Sequence, residues 1–255
     1  MSERVELELD GDRGEIGAAV VRDSLSDTIK LLDAAAHSLE VEPPRWKIER
    51  LDLASVHAGL ESPQNLGIVP LIWHGLEDLR ERVVLPTGWS QDMLRHVRNL
   101  GRHSGVDGAQ VISLVDPHSS ERQTIDGVIT DHAERALETS EVSWGALVGV
   151  IRRWNGGKRI VGLAPPGASG HPIDVKYPAN RESEIMTSAL GHTVEIWGEV
   201  ERNVAGQVVR ASMLDFKVIN AAPPMSIREV AGLFADDPSY PRSVAQWVEE
   251  QRGDS

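Results

Sequence analysis

The stretch Arg152-Arg153-Trp154-Asn155-Gly156-Gly157-Lys158-Arg159 places four cations and a tryptophan around a glycine pair. Cations attract phosphate and an aromatic ring stacks on a base, which is the combination that single-stranded nucleic acid requires. Arg152, Arg153, Trp154, Lys158 and Arg159 are therefore the expected nucleic-acid-binding residues. The same cations have a structural use, because Arg and Lys at hairpin ends keep strand edges soluble and unpaired.

A second group lies along Thr193 to Asn203. Strict alternation puts Val194, Ile196, Gly198 and Val200 on one side and Glu195, Trp197, Glu199 and Glu201 on the other. Trp197 offers a stacking platform, but three carboxylates beside it repel phosphate, which favours a protein contact or internal packing. Trp247, in an apolar side with Val244 and Val248, is a further expected interaction residue. A third group, Arg95, His96, Arg98, Arg102 and His103, forms a basic side on one helix, suited to nearby acids, to an anion or to solvent.

Other chemistries lack their residues. There is no cysteine, so thiolate nucleophiles, disulfides and Cys-ligated metals are excluded. The nine histidines form no metal-ligand spacing, and no P-loop, GxGxxG or GxSxG motif occurs. No catalytic residue, metal or cofactor is expected. An enzyme assembled from residues distant in sequence stays open.

The elements that must position these residues follow from periodicity. Trp144 to Trp154 reads as a strand apolar on both faces, and burial of both faces is what a central strand shows. Asn155-Gly156-Gly157 is an expected hairpin turn in which the glycines take positive φ. Arg159–Leu163, Ile173–Tyr177, Thr193–Asn203 and Val208–Ile219 are further strands. Glu182–Leu190 is an expected helix with Ile185, Met186, Ala189 and Leu190 inward, stopped by Gly191. Pro165–Gly170 is a loop. The order β-β-β-α-β-β over 143–220 resembles the OB-fold, a Greek-key barrel with its helix between the third and fourth strands.

Residues 1–138 read as an α+β domain. Arg4–Leu9 alternates as a strand, and Val21, Leu25, Ile29, Leu32, Ala36 and Leu39 form one stripe of a helix from about Ile16, with Asp23, Asp27 and Lys30 off it. Strands over Trp46–Leu60, a helix begun near Pro70, a helix capped by Ser90 and strands at Val111–Val115 and Gln123–Thr130 follow. Asp131 is the expected cap of a short helix to Leu137. Glu138-Thr139-Ser140-Glu141 is the candidate linker. In the tail, 221–255, helices are expected after the capping box Ser226-Ile227-Arg228-Glu229 and over Ser243–Gln251.

The arrangement is similar to uncharacterised two-domain bacterial proteins that pair an N-terminal α+β domain with a C-terminal OB-fold-like barrel. That resemblance implies a fold and carries no activity and no functional residues. The 255 residues are 40% hydrophobic and 25% charged, with a net charge of −13, an ordinary globular composition. Charge is uneven: −12 over residues 1–142, +2 over 143–220 and −3 over 221–255. The absence of a long apolar run or a secretory h-region, and of cysteine, points to the cytoplasm.

The expected function is non-enzymatic binding, with single-stranded DNA or RNA as the partner of the barrel. The alternative is a protein-interaction module, adaptor-, antitoxin- or immunity-like, that sets its acidic N-terminal domain against a basic partner. Oligomeric state is left open.

Overall fold

The computed structural model describes residues 2–11, 15–52, 56–166 and 172–219. Helices and two sheets make up the described residues, an α+β architecture, and Met1–Val218 form one compact unit. The expectations for the tail, including Trp247, and most of the Pro165–Gly170 loop fall outside the described residues.

The first sheet is antiparallel, in the order β2-β3-β1-β4-β5. It comprises β1 (Glu3–Gly11), β2 (Lys47–Asp52), β3 (Val56–Ser62), β4 (Ala109–Asp116) and β5 (Glu121–Thr124). Alternation in β1 sends Val5, Leu7 and Leu9 into a core shared with four helices. These are α1 (Ala18–Ser38), α2 (Ile68–Glu81), α3 (Gln91–His103) and α4 (Gly127–Leu137). Ser90 caps α3 as expected, accepting the Met93 N–H at 3.3 Å.

Two expectations fail here. The cap of α4 is Asp126, not Asp131: its Oδ1 accepts the N–H of Val128 at 3.0 Å and of Ile129 at 3.1 Å. The buried stripe of α1 runs through Val20, Ser24, Asp27, Thr28, Leu31 and Ala35, so Asp27 lies on it. Thr28 satisfies its hydroxyl on the Ser24 carbonyl at 2.8 Å. Asp27 takes His96 Nδ1 at 3.2 Å and His103 Nε2 at 3.3 Å, the partners that allow a carboxylate to be buried.

The second sheet comprises β6 (Glu141–Asn155), β7 (Ile160–Ala164), β8 (Ile173–Lys176), β9 (Thr193–Arg202) and β10 (Val208–Val218). It closes into a ring of order β10-β8-β7-β6-β9, with β9 back on β10. All contacts are antiparallel except β8 with β10. Its core is separate from the first and includes Ile151, Val161, Leu163, Val175, Ile196 and Phe216.

The expected helix before β9 is one turn each of 3-10 and α-helix followed by a π-turn over Ile185–Ala189. The wider turn leaves Met186 and Leu190 exposed while Ile185 and Ala189 stay buried. Gly191 stops it at φ 80°.

The α+β part and the ring are tied together. Gln207, in the β9–β10 turn, accepts the Leu85 N–H at 2.7 Å and donates to the Leu85 carbonyl at 2.9 Å. Asn203 Nδ2 donates to the Ala136 carbonyl at 3.2 Å. None of the helices among the described residues is long and apolar enough to cross a membrane.

Candidate interaction surface

The cationic hairpin turns over 156–159, and the residue in left-handed backbone is Arg159 at φ 51°, not either glycine. The turn is held by Asn155 Oδ1, which accepts the Lys158 N–H at 3.0 Å. Gly156 is needed for a different reason: a Cβ there would lie 2.5 Å from the Trp154 ring.

Trp154 itself is half-buried against the ring core and donates from Nε1 to the Tyr177 hydroxyl at 2.8 Å. Arg152 pairs with Glu40, just beyond α1, and Arg153 with Asp174 on β8. Lys158 and Arg159 are exposed, with no ion-pair partner among the described residues. The structure thus ties three of the five expected residues into internal contacts and leaves two cations free. Beside Arg153 and Asp174, the start of α3 leaves a cavity of about 50 Å³, lined also by Gln91 and Asp92. That space admits water but not a base.

The outer face of β6, β9 and β10 is different. β6 was expected to be buried on both sides, yet Val142, Trp144 and Val148 are exposed, Trp144 at 72%. Ala146 pairs with Trp197 and Trp144 with Glu199. Directly paired residues point to the same side, so Trp144 and Trp197 are diagonal neighbours on the outer face. Trp197 is 37% exposed and Leu214, where the β9–β10 register shifts, is 63% exposed.

Charge borders this strip. Glu195 and Glu199 point outward from β9 with no partner among the described residues. Glu201 is engaged by the Thr139 hydroxyl at 2.7 Å and by Arg210 at 3.5 Å. Asp215 meets Arg181 at 2.7 Å; the Glu184 hydrogen bond, then Asp215, holds that guanidinium more firmly protonated than usual.

The backbone adds a second feature. Residues 150–155 of β6 pair with β7, whereas 141–149 pair with β9 alone among the described residues. Among the described residues, no strand pairs with the other edge of that half-strand. The exposed residues Trp144, Gly145 and Ala146 lie in its middle.

No family model matches the chain, and no curated protein matches it.

The basic side of α3 is closed by neighbours. Arg95 pairs with Asp92 and Arg102 with Glu134, while His96 and His103 hold Asp27. Arg98 donates to Asn99 at 3.2 Å, and its Nε is buried without a partner.

Cross-strand register also gathers Glu6, Glu8 and His57, whose ligand atoms lie within 4.8 Å of one another and could hold a metal ion. Glu8 is already engaged, by His57 Nδ1 at 3.1 Å and by Arg122. Sequence spacing alone missed this group because β1 and β3 are far apart in the chain. It missed Trp144 because an all-apolar strand gives no sign of which face meets water.

Proposed function

We propose that the chain is a non-enzymatic binding protein whose ring is an OB-type β-barrel and which docks an extended polypeptide segment along β6. The OB reading rests on strand order. The first ring strand lies between the second and fourth, the third runs parallel to the fifth, and the helical segment separates the third from the fourth.

The docking reading is carried by the one-sided pairing of 141–149 beside exposed Trp144. An open edge is a template for a further strand, whose main-chain hydrogen bonds supply affinity while alternate side chains supply specificity. Trp144 and Trp197 are the aromatic anchors that such interfaces favour. Unpaired Glu195 and Glu199 select a segment that interleaves apolar residues with Lys or Arg.

OB-folds commonly bind oligonucleotides on their second and third strands and on the loops after the first and fourth. Here the loop after the fourth ring strand is taken up by Leu85 and Ala136, and Asp174 on the third is paired with Arg153. The β6–β9–β10 face carries the exposed Trp144, Trp197 and Leu214.

The test is to pan a phage library of short random peptides against the full chain. Enriched peptides are expected to alternate apolar with polar positions and to carry Lys or Arg. Their affinity is expected to fall about tenfold or more in Trp144→Lys, equivalent to about 1.4 kcal/mol. Equal binding to parent and variant would contradict the proposal.

A second reading, single-stranded nucleic acid at the hairpin, is favoured by the OB-type order and by free Lys158 and Arg159. It requires oligonucleotide binding that weakens with salt and is lost in the Lys158→Glu/Arg159→Glu double variant. Absence of binding at low salt removes it.

A further inference from the structure

Successive residues of a strand turn their N–H and C=O groups to opposite edges. In β6 the direction is fixed by Ile151. It donates to the His192 carbonyl at 3.2 Å and accepts the Gly191 N–H at 2.8 Å, both just before β9. The β6–β9 register runs without a shift from Glu141 to Val150, and none separates Val150 from Ile151 on the β7 side. Odd-numbered residues from 141 to 151 therefore turn to β9. Val142, Trp144, Ala146 and Val148 turn their backbone groups to the other edge, where no strand pairs among the described residues. All four side chains are exposed.

That edge lacks the devices that keep edges apart, which are Lys, Pro or a bulge. The sequence EVSWGALVG, 141–149, has no Lys, Arg or Pro, and its register with β9 has no bulge. It is also complementary to itself. An antiparallel pair of two such half-strands centred on Gly145 sets Trp144 against Ala146 of the second copy and Val142 against Val148 of the second copy. The backbone groups of all four residues are then paired. A large side chain meets a small one, and the two Trp144 rings become diagonal neighbours across the axis. The ends match as well: Glu141 falls opposite Gly149 of the second copy, and beyond it that copy's own β7 takes the edge at Val150. Charge agrees. Glu141, the one ionisable residue of the half-strand, lies on the other face from Glu195 and Glu199, so the second copy brings no charge to them. The chain's own tail, net −3 over 221–255, would bring like charge.

We propose that two copies of the chain cap each other along 141–149 in this antiparallel pair, and that a target segment docks by displacing the second copy. The inference rests on the reading of β6 as a docking strand and states how that strand is held when no target is bound. One strand pair is a small interface, so the dimer is reversible and dissociates on dilution.

The full chain has no cysteine, so single cysteines report the register. Gly145→Cys puts a thiol on the axis, at a non-hydrogen-bonded position where Cα atoms about 4.5 Å apart suit a disulfide. A Cβ there meets Val200 Cγ2 at 3.8 Å, an ordinary contact that the fold accommodates. This variant is expected to oxidise to a linked dimer. Val142→Cys, whose two copies lie at opposite ends of the pair, is expected to stay unlinked. Sedimentation of the unmodified chain is expected to show a monomer–dimer equilibrium that shifts to monomer on adding a peptide selected on the chain. Its dissociation constant is expected to rise about tenfold or more in Trp144→Lys. A monomer up to millimolar concentration, or equal linking at 142 and 145, would overturn the proposal. A monomer that still binds selected peptides leaves the docking reading standing, whereas a dimer in this register that yields no peptide removes the target and keeps the self-pairing.

Discussion

Gln207 and Leu85 exchange two hydrogen bonds, side-chain amide against backbone amide, across 122 positions of sequence. The pair fixes the β9–β10 turn on the segment between α2 and α3. Asn203 supports it from within the turn, where its Oδ1 accepts the N–H groups of Ala205 and Gln207, each at 3.0 Å. Asn203 is 2% exposed, so removing its side chain strands buried donors and acceptors. Asn203→Ala is expected to cost about 2 kcal/mol, read from the urea unfolding midpoint.

Gly198 lies opposite Met213 in the β9–β10 ladder. A Cβ there would lie 1.9 Å from the Ser212 carbonyl oxygen, a backbone atom held in the β9–β10 ladder. Gly198→Ala is expected to destabilise by about 2–3 kcal/mol, as overpacking does. A thermal melt of the variant checks this.

The tryptophans divide into two kinds. Trp154→Phe keeps a ring in the core but loses the hydrogen bond to Tyr177, an expected loss of about 1 kcal/mol. Trp144→Ala removes a ring that stands in water, and its effect on stability is expected to stay within about 0.5 kcal/mol. Paired denaturation curves test the contrast. Equal losses for the two would show that Trp144 is packed.

Much of the fold was legible because periodicity reports burial directly. Val5, Leu7 and Leu9 alternate and are buried, and β9 presents its expected faces. Periodicity fails where a partner comes from far away. Asp27 reads as a surface residue until His96 and His103 are brought onto it from α3. Arg152 and Arg153 read as free cations, but Glu40 and Asp174 lie 112 and 21 residues away. The strand WGALVGVI reads as core because apolar residues serve equally for burial and for docking. Among the described residues, 141–149 pairs on one edge only, because β7 stops at Ala164, which no local pattern in β6 encodes.

Asp33 gives the fold a dependence on pH. Burial pushes its carboxyl above the ordinary value of 3.8, while the positive field of His37 pulls the other way. Folding therefore favours the protonated form. The contribution is full below the unfolded-state value and is lost as the pH rises through the folded one. Asp33→Asn is expected to raise the Tm at pH 7, with a difference that shrinks as the pH is lowered towards 3.8. A gain that is independent of pH would contradict this origin.

The most direct measurement of the docking proposal is hydrogen–deuterium exchange of the full chain, with and without a peptide selected on it. Strand addition predicts new protection of backbone amides within 141–149, together with slowed exchange in the facing part of β9. Protection confined to the 156–159 hairpin or to the α+β part, with 141–149 unchanged, would contradict β6 as the docking strand.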